Sequence, residues 1–352
     1  MIRVLVVEDS STVRERLLEV LAGDPELVVV GEAHDGKRAI ELCQALRPDV
    51  VSMDMMLPVM TGMAATEYIM AHCPTPILIV SSSTNRGELF RTYEALAAGA
   101  VDVMEKPRGD EAPGAWEATF LANIKLVSRI RVITHLRARA TSPLMTPPHA
   151  RPAPVDRACA VVALGASTGG PGALVEVLRP LPADFPLPLL MVLHIGEPFG
   201  RSFAEWLQAQ IGRPVAYAVE GEPVAGAAGR VVMAPPDLHL VVRAGRVHLT
   251  RDPERHSCRP SIDVLFESLA AGYGAATGAC LLTGMGRDGA AGLLSIRRAG
   301  GDTIAQDEAT SVVWGMPREA VLLGAPVRVL PLIQIGTAVA AWATPAARGK
   351  RP

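Results

Sequence analysis

The sequence is short of the features that mark secreted, membrane-spanning and nucleic-acid-binding chains. Its five cysteines, Cys43, Cys73, Cys159, Cys258 and Cys280, are odd in number, far apart and never in a C-x-x-C pair. That pattern argues against a disulfide framework or a zinc site and for ordinary thiols in a reducing cytoplasm. Aromatic residues make up only 4% of the chain, too few for a platform that stacks single-stranded bases. The net charge is −2, which gives no electrostatic case for a nucleic-acid partner or a membrane surface. No apolar run approaches the roughly 18 residues of a membrane span, so no direct membrane insertion is expected. The opening MIRVLVVEDSS has one arginine and a short apolar run that ends in acids, unlike a signal peptide. A soluble, cytoplasmic protein is expected.

What the sequence does have is core-forming material. It is 49% hydrophobic and 20% charged over 352 residues, enough for two ordinary domains. The first domain alternates strand and helix signals. Strands are expected at Ile2–Val7, Leu27–Val30, Asp49–Met53, Pro76–Val80 and Val101–Met104. Ser10 and Ser11 are placed to cap the first helix, and Pro48 stops the second, Gly36–Leu46. Five strands joined by helices specify a doubly wound parallel sheet.

Between about residues 126 and 158 the composition shifts to five prolines and six arginines against one acid, Asp156. Its first part, LVSRIRVITHLRARA, is helix-like and extends the last helix of the first domain. The rest, TSPLMTPPHARPAPVD, reads as an extended linker. A second α/β pattern starts after Cys159. Strands are expected at Ala160–Leu164, Leu187–Leu193, Arg230–Ala234, Leu238–Arg243, Arg246–Thr250 and Gly278–Leu282. Gly165–Gly170 reads as a tight turn, and Pro171–Leu178 and Ile262–Ala271 as helices. The expected organisation is a domain over 1–125, a linker over 126–157 and a second domain over 158–345, each domain doubly wound α/β.

Sheets of this type place chemistry at the carboxyl edge. In the first domain strand one ends in Glu8-Asp9, strand three at Asp54 and strand four in Ser81-Ser82, with Lys106-Pro107 after strand five. Three clustered carboxylates repel one another unless a cation sits among them, and Mg²⁺ is a hard ion suited to carboxylate oxygens. Asp54 would then attack phosphorus while the metal and Lys106 offset phosphate charge. The full set in this order resembles a response-regulator receiver domain, which has a flavodoxin-like fold. The resemblance implies phosphorylation at Asp54, Mg²⁺ bound through Glu8, Asp9 and Asp54, and a switch through Lys106 and a hydroxyl. That hydroxyl is Ser81 or Ser82. Glu8 stands where many members have Asp.

In the second domain Gly165-Ala166-Ser167-Thr168-Gly169-Gly170 fits G-x-S-x-G between a strand and a helix, the context of a nucleophile elbow. A hydroxyl needs a base. His194, just past an apolar strand, stands at the same sheet edge. His239 and His248 fall within short strands and read as structural, whereas His256 lies in a loop and could line a pocket. Asp288, in the Gly-rich loop Thr283–Gly289, is the candidate to orient the imidazole. Main-chain N–H groups around Met285 are candidates to hold an oxyanion. A dinucleotide-binding reading fails because Ser167 occupies the second glycine of that fingerprint. The order Ser, His, Asp also differs from the Ser, Asp, His of α/β-hydrolases.

GASTGG, the His194 segment, HSCRPSIDVLFESLA, LTGMGRDGAAG and IAQDEATSVVWGMPREA together resemble the chemotaxis protein-glutamate methylesterase (CheB) family. The resemblance covers nearly the whole chain and implies a Rossmann-like catalytic domain joined by a linker to the receiver. It also implies hydrolysis of γ-glutamyl methyl esters on the cytoplasmic domains of methylated chemoreceptors, with deamidation of glutamines. It places the triad at Ser167, His194 and Asp288 and puts Thr168 and Met285 near the oxyanion and substrate cleft. A chemotaxis histidine kinase would be the phosphodonor, and the esterase itself would need no cofactor. The sequence departs from the family around the base, where Gln-His-Met is replaced by Leu193-His194-Ile195 and Pro-Pro-x-Phe by Gly196-Glu197-Pro198-Phe199. The rival reading is a receiver-linked receptor-binding module with weak or no esterase activity; a second rival, a deamidase-dominant enzyme, would use the same site.

Overall fold

The structure, a computed structural model, describes residues 1–82, 86–107, 112–130, 132, 159–195 and 199–343. The chain divides into two compact units, residues 1–144 and 145–352. Most of the expected linker, and Gly196, Glu197 and Pro198 beside the expected base, lie outside the described residues.

In the first unit the strands are β1 (Ile2–Val7), β2 (Leu27–Ala33), β3 (Val50–Met53), β4 (Ile77–Ser81) and β5 (Asp102–Glu105). The helices between and after them are α1 (Ser11–Ala22), α2 (Gly36–Leu46), α3 (Gly62–His72), α4 (Arg86–Ala97) and α5 (Ala115–Val127). Short polar side chains set the helix starts. Ser10, Asp35 and Thr61 accept hydrogen bonds from the N–H groups of Val13, Arg38 and Ala64. The sheet order is β2-β1-β3-β4-β5, and every neighbouring pair is parallel. Direction of winding reverses between β1 and β3, so their carboxyl ends flank the crevice where such sheets carry their sites. The expected continuation of α5 into residues 128–140 is not borne out at its start: the helix ends at Val127, and Ser128 to Ile130 form only closing turns. Residues 133–140 lie outside the described set.

The second unit is built on a seven-stranded parallel sheet ordered β14-β13-β12-β6-β7-β9-β8. Its strands are β6 (Val161–Ala166), β7 (Leu189–Leu193), β8 (Val215–Tyr217), β9 (Val231–Met233), β12 (Thr277–Leu281), β13 (Asp302–Gln306) and β14 (Arg328–Leu330). The helices are α6 (Gly170–Leu178), α7 (Phe199–Ile211), α8 (Ile262–Gly272), α9 (Ala290–Arg298), α10 (Met316–Leu322) and α11 (Leu332–Ala341). A separate antiparallel hairpin, β10 (His239–Arg243) with β11 (Arg246–Thr250), packs on α8. Its two linking residues, Ala244 and Gly245, have φ of 49° and 71°, the positive values a tight hairpin turn needs. The core joins Val161, Ala163, Leu190 and Val192 of the sheet to Leu265, Phe266 and Leu269 of α8.

One boundary differs from the sequence reading in a way that matters. The expected turn at Gly165 begins two residues later, because β6 runs on through Gly165 and Ala166. Both are held in register, Gly165 opposite Leu281 and Ala166 opposite Leu193. Gly165 serves close packing rather than turning: a Cβ there would lie 2.4 Å from Ile262 Cγ2. Winding reverses between β6 and β12, so Ser167 and the loop after β12 share one crevice.

Candidate active site

Ser167 is the first residue beyond β6. Its N–H donates to Thr283 O at 3.0 Å, and its carbonyl accepts from Gly170 N at 2.6 Å, which closes the turn into α6. Gly169, with φ of 76°, supplies the left-handed step that this turn requires. Thr283 pins the turn a second time, since its Oγ1 donates to Thr168 O at 3.0 Å. The Thr283 N–H in turn donates to the buried Gln306 Oε1 at 2.8 Å. Gly284 fits against the serine so closely that a Cβ would sit 2.7 Å from Ser167 Cβ.

His194 is the first residue beyond β7, the next strand in the sheet. Its N–H donates to Ala166 O at 3.0 Å, continuing the ladder that pairs Ala166 with Leu193. Backbone register alone therefore sets Ser167 beside His194. Among the described residues no hydrogen bond joins Ser167 Oγ to the imidazole. The ring is instead engaged from two other sides. Its Nε2 lies 2.9 Å from Asp288 Oδ2, and its Nδ1 lies 3.8 Å from Cys258 Sγ.

Asp288 reaches this point from the loop before α9 and is only 2% exposed. Its carboxylate also holds the first turn of α8. Oδ1 accepts from Ser261 Oγ at 2.7 Å and from Asp263 N at 3.1 Å, while Oδ2 accepts from Ile262 N at 2.7 Å. These donors and the α8 N-terminus favour the ionised acid. Burial alone would raise its pKa, but the bonds from His194, Ser261 and Ile262 outweigh it, and the acid ends below its ordinary value. For His194, burial disfavours the charged ring, yet Asp288 and then Cys258 reverse that and carry the pKa up to about 9.

The other expected cleft residues fall at different depths. Thr168 is half-buried at the elbow, and Met285 is 48% exposed on the loop after β12. Among the described residues the main-chain N–H groups of these two make no hydrogen bond. His256 does not bond to the serine, the base or the acid. Its Nε2 meets the buried Asp263 Oδ2 at 3.2 Å, and its Nδ1 accepts from Arg287 Nε at 3.1 Å. His239 is buried, its Nδ1 accepting from Ser261 N at 3.1 Å, and His248 pairs with Glu220. Sequence reasoning gave no role to Thr283, Gln306, Ser261 or Cys258. The last two stand within the motif HSCRPSID, where their spacing from the acid 27 and 30 residues on carried no signal.

In the first unit the crevice gathers Glu8, Asp9, Asp54 and Lys106. One oxygen from each of the three acids lies within 4.8 Å of the others. Lys106 Nζ is 2.8 Å from Glu8 Oε2 and 3.0 Å from Asp54 Oδ2. Both oxygens are buried, and both sit at ion-pair distance without hydrogen-bond alignment. Burial, and then repulsion from Asp54, push the Glu8 pKa up. Burial works against the Lys106 charge, but Asp54 and Glu8 overcome it and raise its pKa. The two candidate hydroxyls differ: Ser82 Oγ bonds to Glu88 Oε2 at 3.1 Å, whereas the buried Ser81 Oγ has no partner among the described residues.

Fold and sites together define a two-unit α/β protein with an acid–lysine pocket on one sheet and a serine–histidine–aspartate constellation on the other. Residues 162–339 match the family described as CheB methylesterase, and residues 4–112 match the response regulator receiver domain. A protein-glutamate methylesterase/protein-glutamine glutaminase of Myxococcus xanthus (strain DK1622) is 43% identical over 327 residues, spanning 92% of this chain and 91% of that protein. Another from Anaeromyxobacter dehalogenans (strain 2CP-C) is 44% identical and spans 96% of both chains. A third, from Pseudomonas aeruginosa PAO1, is 45% identical and spans 99% of both. The chain belongs to the CheB methylesterase family. No helix among the described residues is long and apolar enough to cross a membrane.

Proposed function

We propose that the chain hydrolyses glutamyl methyl esters, and deamidates glutamines, on chemoreceptor cytoplasmic domains, under control of phosphorylation at Asp54. The observation that carries the reading is the His194–Asp288 pair at 2.9 Å, set beside Ser167 by strand register. The relatives' shared name supplies the ester and amide class. The domains in this reading are a receiver over 1–125, a linker over 126–157 and a catalytic domain over 158–345. The setting is the bacterial cytoplasm, with a chemotaxis histidine kinase as phosphodonor.

Asp288, ionised and acceptor-only, fixes the hydrogen of His194 on Nε2 and leaves Nδ1 as the basic nitrogen. Nδ1 takes the proton of Ser167 Oγ as the oxygen attacks the ester carbonyl. The N–H groups of Thr168 and Met285 receive the developing oxyanion. The imidazolium returns its proton to the departing methoxide, so methanol leaves. Water, deprotonated by the same ring, then releases the glutamate and frees Ser167. With an amide substrate the leaving group is ammonia. This chemistry needs no cofactor. Ser167→Ala should abolish methanol release from a methylated receptor; retention of most of the activity would reject the assignment.

In the receiver the all-carboxylate donor set, with two buried oxygens lacking aligned partners, fits a hard divalent cation. Glu8, Asp9 and Asp54 would hold Mg²⁺, which supplies charge neutralisation for the incoming phosphoryl group. Asp54 is the acceptor, Lys106 pairs with the phosphate, and the unengaged Ser81 hydroxyl is positioned to turn toward it. A small-molecule phosphodonor should raise methanol release by the wild type and leave Asp54→Asn unchanged. An equal response in both would remove Asp54 from the control.

A further inference from the structure

Cys258 takes no part in the reaction described above, yet it is the thiol that stands against the base. The other four cysteines are buried, and Cys258 alone is partly exposed. Its Sγ is 3.8 Å from His194 Nδ1, the nitrogen that carries the lone pair when the ring is neutral, since Nε2 is committed to Asp288. A zinc ion bound tetrahedrally, with Zn–S of about 2.3 Å and Zn–N of about 2.0–2.1 Å, sets sulfur and nitrogen about 3.6 Å apart. The observed separation is close to that value. The far side of the ring also matches a metal site, because ligating imidazoles usually donate their second nitrogen to a carboxylate that orients them. Asp288 fills that role and keeps to it: Oδ1 is occupied by Ser261 and Asp263, and Oδ2 by Ile262 and His194. Thiolate with imidazole is a donor pair that selects Zn²⁺ over the oxygen-seeking Mg²⁺.

We propose that His194 Nδ1 and Cys258 Sγ form a binding site for a thiophilic divalent cation, Zn²⁺ being the type, whose occupation switches the esterase off. Binding releases two protons to solvent, one from the thiol and one from Nδ1 of the charged ring, and forms one metal–sulfur and one metal–nitrogen bond, with water in the remaining positions. The lone pair that would accept the Ser167 proton is then held by the metal. The inhibitory consequence rests on the reading of His194 as the base; the metal site itself does not.

The test uses the full chain and two metals. Zn²⁺ alone should inhibit methanol release by the wild type, with recovery on chelation. Cys258→Ala should raise the half-inhibitory Zn²⁺ concentration at least about tenfold, since even loss of an outer orienting group costs that much. Equal inhibition of both proteins overturns the proposal. Co²⁺ gives a readout independent of activity: a thiolate-to-metal absorption band should appear in the wild type and in Ser167→Ala, and vanish in Cys258→Ala. No band in the folded wild type, or a band that survives in Cys258→Ala, also overturns it. A band without inhibition keeps the metal site but rejects His194 as the base. If the alanine variant does not fold, Cys258→Ser replaces it in the Co²⁺ measurement, with the same expected loss of the thiolate band.

Discussion

Asp288 Oδ2 meets His194 Nε2 at 2.9 Å, and this contact decides which ring nitrogen is basic. An ionised carboxylate can only accept, so the ring hydrogen stays on Nε2. Against burial, the same contact and then Cys258 hold the ring charged, with a pKa of about 9. The reaction needs the neutral ring. The kcat/KM profile should therefore climb as pH rises and level off above about 9. In Asp288→Asn the partner that raises the pKa is weakened while burial remains, so the rising limb should move to lower pH. The plateau should fall by about two to four orders of magnitude. A pH series on both proteins checks this, and an unmoved limb would dissociate Asp288 from the base.

The same shift has a stability counterpart. The folded pKa of His194 lies above its ordinary 6.5, so its stabilising contribution is complete below that pH and is lost as pH rises through about 9. Denaturant titrations from pH 6 to 10 should show stability falling in that window. His194→Ala should remove that part of the slope.

Gly284 leaves no room for a side chain. A Cβ would meet Met316 Cε at 2.4 Å and Ser167 Cβ at 2.7 Å. Met316 can swing aside, but the serine cannot move without leaving its register. Gly284→Ala should cost about 1–3 kcal/mol of stability and lower kcat more than it raises KM, which steady-state kinetics and a denaturant melt would separate.

In the receiver, three acids within 4.8 Å and a buried Glu8 with a raised pKa describe a pocket under electrostatic strain. Mg²⁺ held there would relieve it, and binding to the folded state alone would stabilise the domain. Millimolar Mg²⁺ should raise the melting temperature of the full chain's receiver transition, and chelation should reverse the gain. Asp54→Asn removes one repelling charge and one ligand, so its melting should respond less to Mg²⁺ and sit higher in its absence.

Much of this was readable in the chain because strand ends are legible. Asp54, Ser167 and His194 each follow an apolar run, and parallel sheets carry chemistry where such runs stop. The glycines of the loop before Asp288 marked where that acid could return to the same edge. Contacts that depend on packing were not readable. Cys258 touches a histidine 64 residues away, and Ser261 reaches across 27 residues to the Asp288 carboxylate. Strands of three residues, such as Val215–Tyr217 and Arg328–Leu330, are too short to carry a period. Gly165 misled because glycine serves both turns and close packing, and only the position of Ile262 distinguishes the two.

Asp288 also closes the first turn of α8, through the N–H groups of Ile262 and Asp263 and the Ser261 hydroxyl. Active-site acids commonly burden the fold that holds them, and deleting one then yields a sturdier but inert protein. Here the acid doubles as a helix cap, so its loss should yield a protein both inert and more fragile. Selection for thermal endurance alone would therefore retain Asp288, even in a lineage that no longer needed the reaction.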